Sequence, residues 1–169
     1  HTVALGANTA TKITATGAIG GQAINVKADL IYKDGRTSIP TLEARIGDNR
    51  LTGAVNFSED FKPDGSVAFN FPDVALLAAM AGEKASGDIA GSATIATTNG
   101  KTSVALKASG SGIKRGDLVI SKPVADITIA DLSALAIRGN LSVETFTQGA
   151  NRLNGLKLDF DQQGAKTNV

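Results

Sequence analysis

Apolar and polar residues alternate along most of the chain. In residues 24–30 the even positions are apolar and the odd positions are polar or charged. A period of two predicts half-buried β-strands with one apolar and one polar face. The apolar positions of the predicted strands are Ile24, Val26, Leu30, Leu42, Ile46, Leu51, Val55, Phe57, Val67, Phe69, Phe71, Ile89, Ile95, Val104, Leu106, Leu118, Ile120, Ile127, Ile129, Leu141, Val143, Leu156, Leu158 and Phe160.

Short turn signals separate these predicted strands. Asp34-Gly35, Asp64-Gly65 and Asn99-Gly100 each combine two residues that accept the positive φ of a two-residue hairpin turn. Strands that follow one another in the sequence are therefore expected to pair antiparallel. Pro40 and Pro123 interrupt strand-like stretches and lack an N–H group, so each predicts a sheet edge or a bulge.

One segment predicts a helix. Pro72 suits a first-turn position, Asp73 favours the helix N-terminus, and Gly82 follows the apolar run Val74–Ala81. We expect a short helix near residues 73–81, buried because it is apolar all round. No composition break divides the chain, so residues 1–169 are expected to form a single domain.

A short sequence repeat supports the picture of similar strands added one after another. Gly47–Gly53 recurs as Gly149–Gly155 with five identities in seven positions, and each copy leads into a strand that ends in Phe. After Gly155 the apolar positions change parity, which predicts a bulge at this glycine.

Composition excludes several kinds of chemistry. The chain has 169 residues, a net charge of +1 and no Cys or Trp, and only 4% of its residues are aromatic. Thiolate catalysis and sulfur metal sites are excluded, and the balanced charge argues against nucleic acid as a partner. The eight-residue run Val74–Ala81 is too short to span a bilayer. Because the sequence opens with His1 and carries no signal-peptide pattern, it is expected to be part of a larger protein whose membrane anchor lies elsewhere.

Candidate catalytic groups are few. His1 is the only histidine, so a histidine-based triad or metal site is not expected. Acid pairs occur at Glu59-Asp60 and at Asp159 with Asp161, and solvated turns or outer strand faces account for both. Gly100-Lys101-Thr102 lacks the earlier glycine and the following helix of a phosphate-binding loop. We expect no enzyme activity, no cofactor and no metal.

The apolar strand face is the remaining feature that calls for a function. A sheet that is apolar on one side covers that side with a second layer or with a ligand. The single short helix is too small for this, so we expect the sheet to fold over on itself. The resulting space would be either a closed sandwich or an open trough that binds apolar chains.

Four stretches resemble the periplasmic β-repeat region of the TamB family, within the wider AsmA-like group of bacterial envelope proteins. They are Leu42–Phe57, Phe71–Gly82, Ala85–Ala93 and Gly149–Gly155. The resemblance implies an all-β fold: an elongated, curled antiparallel sheet, taco-like in section, with a hydrophobic concave face and one short helix. The apolar strand positions given above would line that groove.

The resemblance also implies a function. The chain would be a periplasmic segment of an inner-membrane-anchored protein of a Gram-negative bacterium. Its partners would be the acyl chains of phospholipids and, through the full-length protein, the outer-membrane barrel protein TamA. The protein would move phospholipid between the two membranes and support outer-membrane protein assembly. Two alternatives are a β-solenoid or sandwich fragment of a secreted adhesin without lipid cargo, and a carbohydrate-active enzyme dependent on Asp159 or Asp161.

Overall fold

A computed structural model describes residues 8–163 and 166–168. These residues form fourteen strands and one short helix. In chain order the elements are β1 (Thr9–Ile19), β2 (Gln22–Lys33), β3 (Arg36–Ile46), β4 (Asn49–Phe57), β5 (Pro63–Phe71), α1 (Ala75–Met80), β6 (Ser86–Gly87), β7 (Ile89–Thr98), β8 (Lys101–Ser109), β9 (Gly112–Arg115), β10 (Leu118–Ser121), β11 (Val124–Asp131), β12 (Ala136–Gln148), β13 (Asn151–Gln163) and β14 (Lys166–Asn168).

All of these strands belong to one antiparallel sheet. β10 and β11 both pair with the same edge of β12, so together they form one long, interrupted strand. On their other side β10 pairs with β9 and β11 pairs with β8, so β8 and β9 form a second interrupted strand. β6 and β7 are divided in the same way around Asp88. Counted as long strands, the chain is a simple up-and-down meander, which confirms the predicted all-β antiparallel fold. The sheet does not close: β1 lies at one side, and β13 with β14 at the other.

The predicted turns are correct at two of three places. In the first turn Asp34 has φ of 50° and Gly35 has φ of 76°; in the second Asn99 has φ of 51° and Gly100 has φ of 78°. Each turn joins two paired strands. Positive φ at both central residues is the type I′ geometry, whose twist matches that of the strands. Gly20-Gly21 forms a further turn of this kind, between β1 and β2.

The predicted turn at Asp64-Gly65 is wrong. Both residues lie inside β5, where Asp64 pairs with Asn56 of β4. The chain reverses earlier, in residues 58–62, where the Ser58 and Phe61 amides donate to the carbonyls of Lys62 and Ser58 respectively. Phe61 takes the left-handed conformation there, with φ of 56°. A five-residue loop therefore makes the turn, and Gly65 serves the strand because a Cβ atom would lie 2.2 Å from the Ala54 carbonyl oxygen.

Pro40 and Pro123 both interrupt the hydrogen-bond ladder, as the sequence predicts. The pairing of β3 shifts between Ile39 and Leu42 on either side of Pro40. Pro123 falls in the break between β10 and β11, and its carbonyl accepts a hydrogen bond from the Gly110 amide of the neighbouring break. Bulges of this kind bend a strand and increase its twist.

The helix is shorter and more exposed than the sequence predicts. It spans Ala75–Met80 rather than residues 73–81, and none of its residues is buried. The expectation of a buried helix is therefore wrong, because the single sheet offers no second layer to enclose it. The stop at Gly82 is correct: this residue has φ of 77°, and the amides of Gly82 and Glu83 donate to the Ala79 and Ala78 carbonyls. These two bonds form a Schellman cap.

Little of the molecule is enclosed. Its accessible surface is 10985 Å², whereas a compact monomer of this mass exposes about 7,800 Å². Among the described residues only Ala108 and Asn49 are buried, and no large side chain is fully enclosed. Of the two arrangements expected for the apolar side, a closed sandwich or an open trough, the closed sandwich is not found in this part of the chain.

Candidate functional site

The pairing register gathers the apolar strand positions on one side of the sheet, which we call the apolar face. Residues directly opposite one another in paired strands share a face. One row crosses the sheet through Val26, Ala44, Leu51, Phe69, Gly91, Ala108, Ala125, Leu141 and Leu158. The next row runs through Ala28, Leu42, Gly53, Val67, Ala93, Leu106, Ile127, Gly139 and Phe160. Neither row contains a charged residue.

Nearly all of the predicted lining residues share this face. Those outside the two rows that lie on the same face by register and alternation are Ile24, Leu30, Ile46, Val55, Phe57, Phe71, Ile89, Ile95, Val104, Ile129, Val143 and Leu156. Leu118 and Ile120 stand apart, in the short strand β10, where Ile120 pairs with Ile113 and Phe146. Lys122, with φ of 45°, separates them from β11 and interrupts the alternation.

Ile13, Ile39 and Ile137 are residues of the apolar face that the sequence pattern does not reveal. Ile13 lies opposite Ala28, but its strand is mostly threonine and alanine and gives a weak signal. Ile39 lies opposite Val55. Counting in twos from Leu42 misses Ile39, because the bulge at Pro40 inserts one extra residue. Ile137 follows a run of apolar residues in which no alternation is visible.

The opposite side of the sheet, the polar face, carries the charged residues of the same strands. Glu43 accepts a hydrogen bond of 2.6 Å from Arg45 Nε and lies 3.4 Å from an Arg50 nitrogen. The hydrogen bond from Arg45, together with the positive charges around it, lowers the pKa of Glu43 below 4.5. Lys107 Nζ lies 2.9 Å from Asp126 on the next strand. The polar face thus carries ion pairs between neighbouring strands, whereas the two rows of the apolar face contain no charge.

Exposure of the apolar face is greatest near the two edges of the sheet. Ile13 in β1 is 45% exposed, and Leu156 and Leu158 in β13 are 44% and 40% exposed. In the middle of the sheet the apolar residues are half-buried by their neighbours on adjacent strands. Solvent therefore reaches this face across its whole width.

Helix α1 lies across the strand ends at one end of the sheet. The Val74 amide donates to the Gly87 carbonyl in β6, and the Asp73 amide donates to Asn49 Oδ1 at 3.3 Å. A Cβ atom on Gly20 would lie 2.9 Å from a Leu76 methyl group. The segment thus reaches from β6 to the β1–β2 turn.

The other end of the sheet carries a charged cleft of about 1050 Å³. Lys33 and Arg36 line it and are directly opposite each other in the β2–β3 pair. Lys62 forms an ion pair with Asp60 in the same cleft. Hydrogen bonds from Lys62 and Ser58 lower the pKa of Asp60 below 3.8. The charged side chains of this cleft thus lie at the strand ends, beside the apolar face and not on it.

The candidate catalytic acids do not converge. Asp159 and Asp161 lie on the polar face, opposite Asn140 and Arg138, and both are exposed. Gly100-Lys101-Thr102 forms one side of a hairpin, as its sequence context indicates. No metal-ligand cluster occurs among the described residues, and His1 lies outside them.

Two further observations do not identify a function: the short helix of the described residues, and the comparison of the chain with known proteins. The only helix in residues 8–163 and 166–168 is six residues long, and no helix there is long and apolar enough to cross a membrane. No family model, curated protein or solved structure matches the chain. The continuous, uncovered apolar face is therefore the feature from which a function has to be derived.

Proposed function

We propose that the chain is a segment of an envelope-spanning groove protein of the TamB type, which shields phospholipid acyl chains between the inner and outer membranes. The observation that carries the proposal is the apolar face, which continues without a charged residue along two rows from β2 to β13. Apolar surface of this extent is unusual on a soluble protein unless it binds a partner. Support for outer-membrane protein assembly, with TamA as partner of the full-length protein, belongs to the same proposal.

Burial of methylene groups supplies the driving force. Each CH₂ group removed from water contributes roughly 0.8 kcal/mol. An acyl chain lying on the apolar face replaces water on both the lipid and the exposed Leu and Ile side chains. No nucleotide or metal is needed at the point of contact.

The residue types of the face suit a chain that slides. Leu51, Leu106 and Ile127 have branched side chains. Gly91 in β7 and Ala108 in β8, which are neighbours in the first row, are small. No side chain in the two rows offers a hydrogen bond or a charge that would fix a headgroup at one position. The charged groups lie on the polar face and at the strand ends, where a headgroup can stay in water.

Concave curvature of the apolar face is part of the proposal. The ladder is interrupted by the bulge at Pro40 and by the breaks at Asp88, Gly110-Ser111 and Lys122-Pro123, and bulges and breaks of this kind allow strands to bend. Bending of successive strands in the same sense would form a trough whose long axis crosses the strands. The periplasm, an aqueous space between two membranes, is the compartment in which such a trough has a use.

Site-specific photocrosslinking tests the proposal. A photoreactive residue is placed at Val26, Leu106 or Ile129 on the apolar face, or at Lys27 or Lys107 on the polar face, and lipid adducts are measured in cells. We expect adducts at the first three positions and few at the two lysines, which are the sequence neighbours of Val26 and Leu106. Equal labelling of both faces would overturn the proposal.

A pair of charge variants provides an independent test on the purified chain. Leu106→Glu places a carboxylate in the middle of the apolar face, whereas Lys107→Glu places the same group on the polar face one residue away. We expect the first variant to lose fluorescent phospholipid binding at least tenfold and the second to retain it. Circular dichroism confirms that both variants are folded. Equal loss of binding in the two folded variants would contradict the proposal.

A further inference from the structure

The charged cleft at the strand ends lies between two loops that connect internal strands of the sheet. Its walls are the β2–β3 turn at Asp34-Gly35 and the loop of residues 58–62 between β4 and β5. Glu59 lies against the turn, because a Cβ atom on Gly35 would be 3.1 Å from the Glu59 Cγ atom. Strands β2 to β5 each have a paired neighbour on both sides, so the cleft is formed by the interior of the sheet.

Two basic residues in this cleft face each other without a counter-ion. Lys33 and Arg36 are directly opposite in the β2–β3 pair, and both are exposed. Like charges in this position destabilise a sheet. Neither side chain forms an ion pair with any of the described residues.

A second basic pair, between β3 and β4, shows how the fold neutralises such charges. Arg45 and Arg50 are also directly opposite each other. Glu43 Oε1 lies 2.6 Å from Arg45 Nε and 3.4 Å from an Arg50 nitrogen, so one carboxylate serves both cations. The pair in the cleft has the same arrangement and lacks that carboxylate, and an anionic group of a ligand would take its place.

The cleft also holds carboxylates that no cation neutralises. Asp34, Glu59 and Asp64 line it and form no ion pair within the described part of the chain, whereas Asp60 is paired with Lys62. Positive and negative groups thus face one space and are not paired with each other. A simple anion would satisfy the two free cations and be repelled by the carboxylates. A zwitterion carries both charges in one small molecule and complements both sets of groups.

The cleft is continuous with the apolar face at Phe57. This residue lines the cleft and lies on the apolar face, where Val55 is the next residue along the strand. Arg36 immediately precedes Thr37, which is directly opposite Phe57, so the basic pair lies at the polar side of the same strand ends. A ligand with its charged group in the cleft therefore extends an apolar chain over Phe57 onto the apolar face.

We propose that the cleft binds the phosphoethanolamine group of a phospholipid, with the phosphate between Lys33 and Arg36 and the ammonium group at Glu59. The inference rests on the proposed lipid function and names the lipid class, phosphatidylethanolamine. The Arg36 guanidinium matches a phosphate with two parallel hydrogen bonds, and Lys33 adds a point charge. All three side chains are exposed, so each contact contributes little and the lipid is able to leave the cleft again.

Binding of two fluorescent phospholipids to the purified chain tests the proposal. Both carry the same labelled acyl chains; one has a phosphoethanolamine headgroup, and the other has a phosphoglycerol headgroup, which lacks the ammonium group. We expect the first lipid to bind about threefold more tightly, the effect of one exposed ion pair. Glu59→Gln should remove this preference. Lys33→Gln combined with Arg36→Gln should weaken the binding of both lipids about five- to tenfold.

Lys84→Gln combined with Lys114→Gln is the matched control. It removes the same two charges at the opposite end of the sheet, where neither lysine forms an ion pair with a described residue. We expect this variant to bind both lipids as the unaltered chain does. If the unaltered chain binds the two lipids equally, or if both double variants lose binding equally, the headgroup site is refuted while lipid binding by the apolar face stands.

Glycerophosphoethanolamine, which has the headgroup and no acyl chains, separates the cleft from the groove. The amide NMR signals of Gly35 and Thr37 report its binding, and we expect shifts that Lys33→Gln combined with Arg36→Gln abolishes. Such shifts in a chain that binds neither lipid would support the site and refute the groove. The absence of shifts would refute the site. Tighter binding of the lipid than of the free headgroup identifies a membrane lipid as the ligand, whereas equal affinity identifies a soluble phosphodiester and refutes the assignment to a phospholipid.

Discussion

Pairs of glycine and phenylalanine stabilise the apolar face at the level of single residues. Phe69 lies opposite Gly91, and Phe160 lies opposite Gly139. A Cβ atom on Gly91 would be 2.7 Å from the Phe69 ring and 2.1 Å from the Lys107 carbonyl oxygen. A ring that covers a glycine on the next strand shields the backbone and fills the missing side-chain volume. These glycines are therefore packing positions rather than turn positions.

Gly91→Ala tests this packing. The added methyl group meets backbone, which cannot move aside, so we expect the free energy of unfolding to fall by about 1–3 kcal/mol. Gly17→Ala is the matched control, because its Cβ atom meets nothing within 4 Å and its φ is not positive. We expect Gly17→Ala to be neutral or to stabilise the fold by up to about 1 kcal/mol. Equal effects of the two variants in urea unfolding would contradict the packing role.

Asp88 connects two interrupted strands and gives the fold a dependence on pH. The Ser111 hydroxyl donates to Asp88, and the Ser111 amide donates to Asp88 Oδ2 at 2.9 Å. These hydrogen bonds, that of the hydroxyl first, lower the pKa of Asp88 below 3.8. A carboxylate with a lowered pKa stabilises the fold above its unfolded pKa, and the contribution is lost as the pH falls through the folded pKa.

We expect the stability difference between the unaltered chain and Asp88→Ala to be greatest near neutral pH and to shrink below pH 3.8, the ordinary value of this group. Urea unfolding at a series of pH values from 7 to 2.5 measures it. In a Ser111→Ala background the difference should be smaller and depend less on pH, because the principal hydrogen-bond donor is missing. A difference that stays constant over the whole pH range would show that Asp88 acts only by its shape.

At the level of elements, local sequence predicts some reversals and not others. Asn99-Gly100 is flanked by strands of matching length, so the turn residues and the strand pattern agree. Asp64-Gly65 has the same chemistry, but the side chain of Ser58, bonded to Asp60 and to the Lys62 amide, organises an earlier loop. A dipeptide rule cannot weigh one turn against another when both are compatible with the strands.

Helix α1 is an appendage of the sheet rather than part of its support. None of its residues is buried, and Met80 is 58% exposed. The apolar run Val74–Ala81 predicts both a helix and its burial. The prediction of burial is wrong because a helix is buried only if another layer packs over it, and the rest of the described chain is a single sheet. The sheet next to the helix is continuous without it, since Phe71 pairs with Ile89.

Replacement of residues 74–84 by a glycine-serine linker tests this independence. We expect the far-ultraviolet circular dichroism of the β-sheet and a cooperative thermal transition to be retained, because no ladder hydrogen bond of β1–β5 or β7–β13 is removed. Phe69→Ala serves as the contrasting variant, since it truncates a ring in the centre of the apolar face and should lower the melting temperature more. Loss of the β spectrum in the linker variant would show that the helix is required for folding.

For the molecule as a whole, the alternation of apolar and polar residues predicts which residues share the apolar face of the sheet, but not whether a second layer covers that face. The antiparallel order and the identity of the apolar face follow from period-two patterns and turn residues, whereas β1 and the short strands β6, β9 and β14 have no clear alternation. Whether the face is closed depends on long-range bending, which a few interruptions such as Pro40 and Lys122 control. Lys122 has no sequence signal for its positive φ, so the change of parity between Ile120 and Ile127 is visible only in three dimensions.

The uncovered face has a thermodynamic signature. Unfolded, a 17.2 kDa chain exposes about 25,000 Å², so a compact fold of it buries about 17,000 Å². With 10985 Å² still exposed, this fold buries about 14,000 Å². Because the urea m-value scales with the surface exposed on unfolding, we expect about four-fifths of the value for compact domains of 169 residues. An m-value equal to that of compact domains would mean that the apolar face is covered in solution, which would remove the basis of the groove proposal.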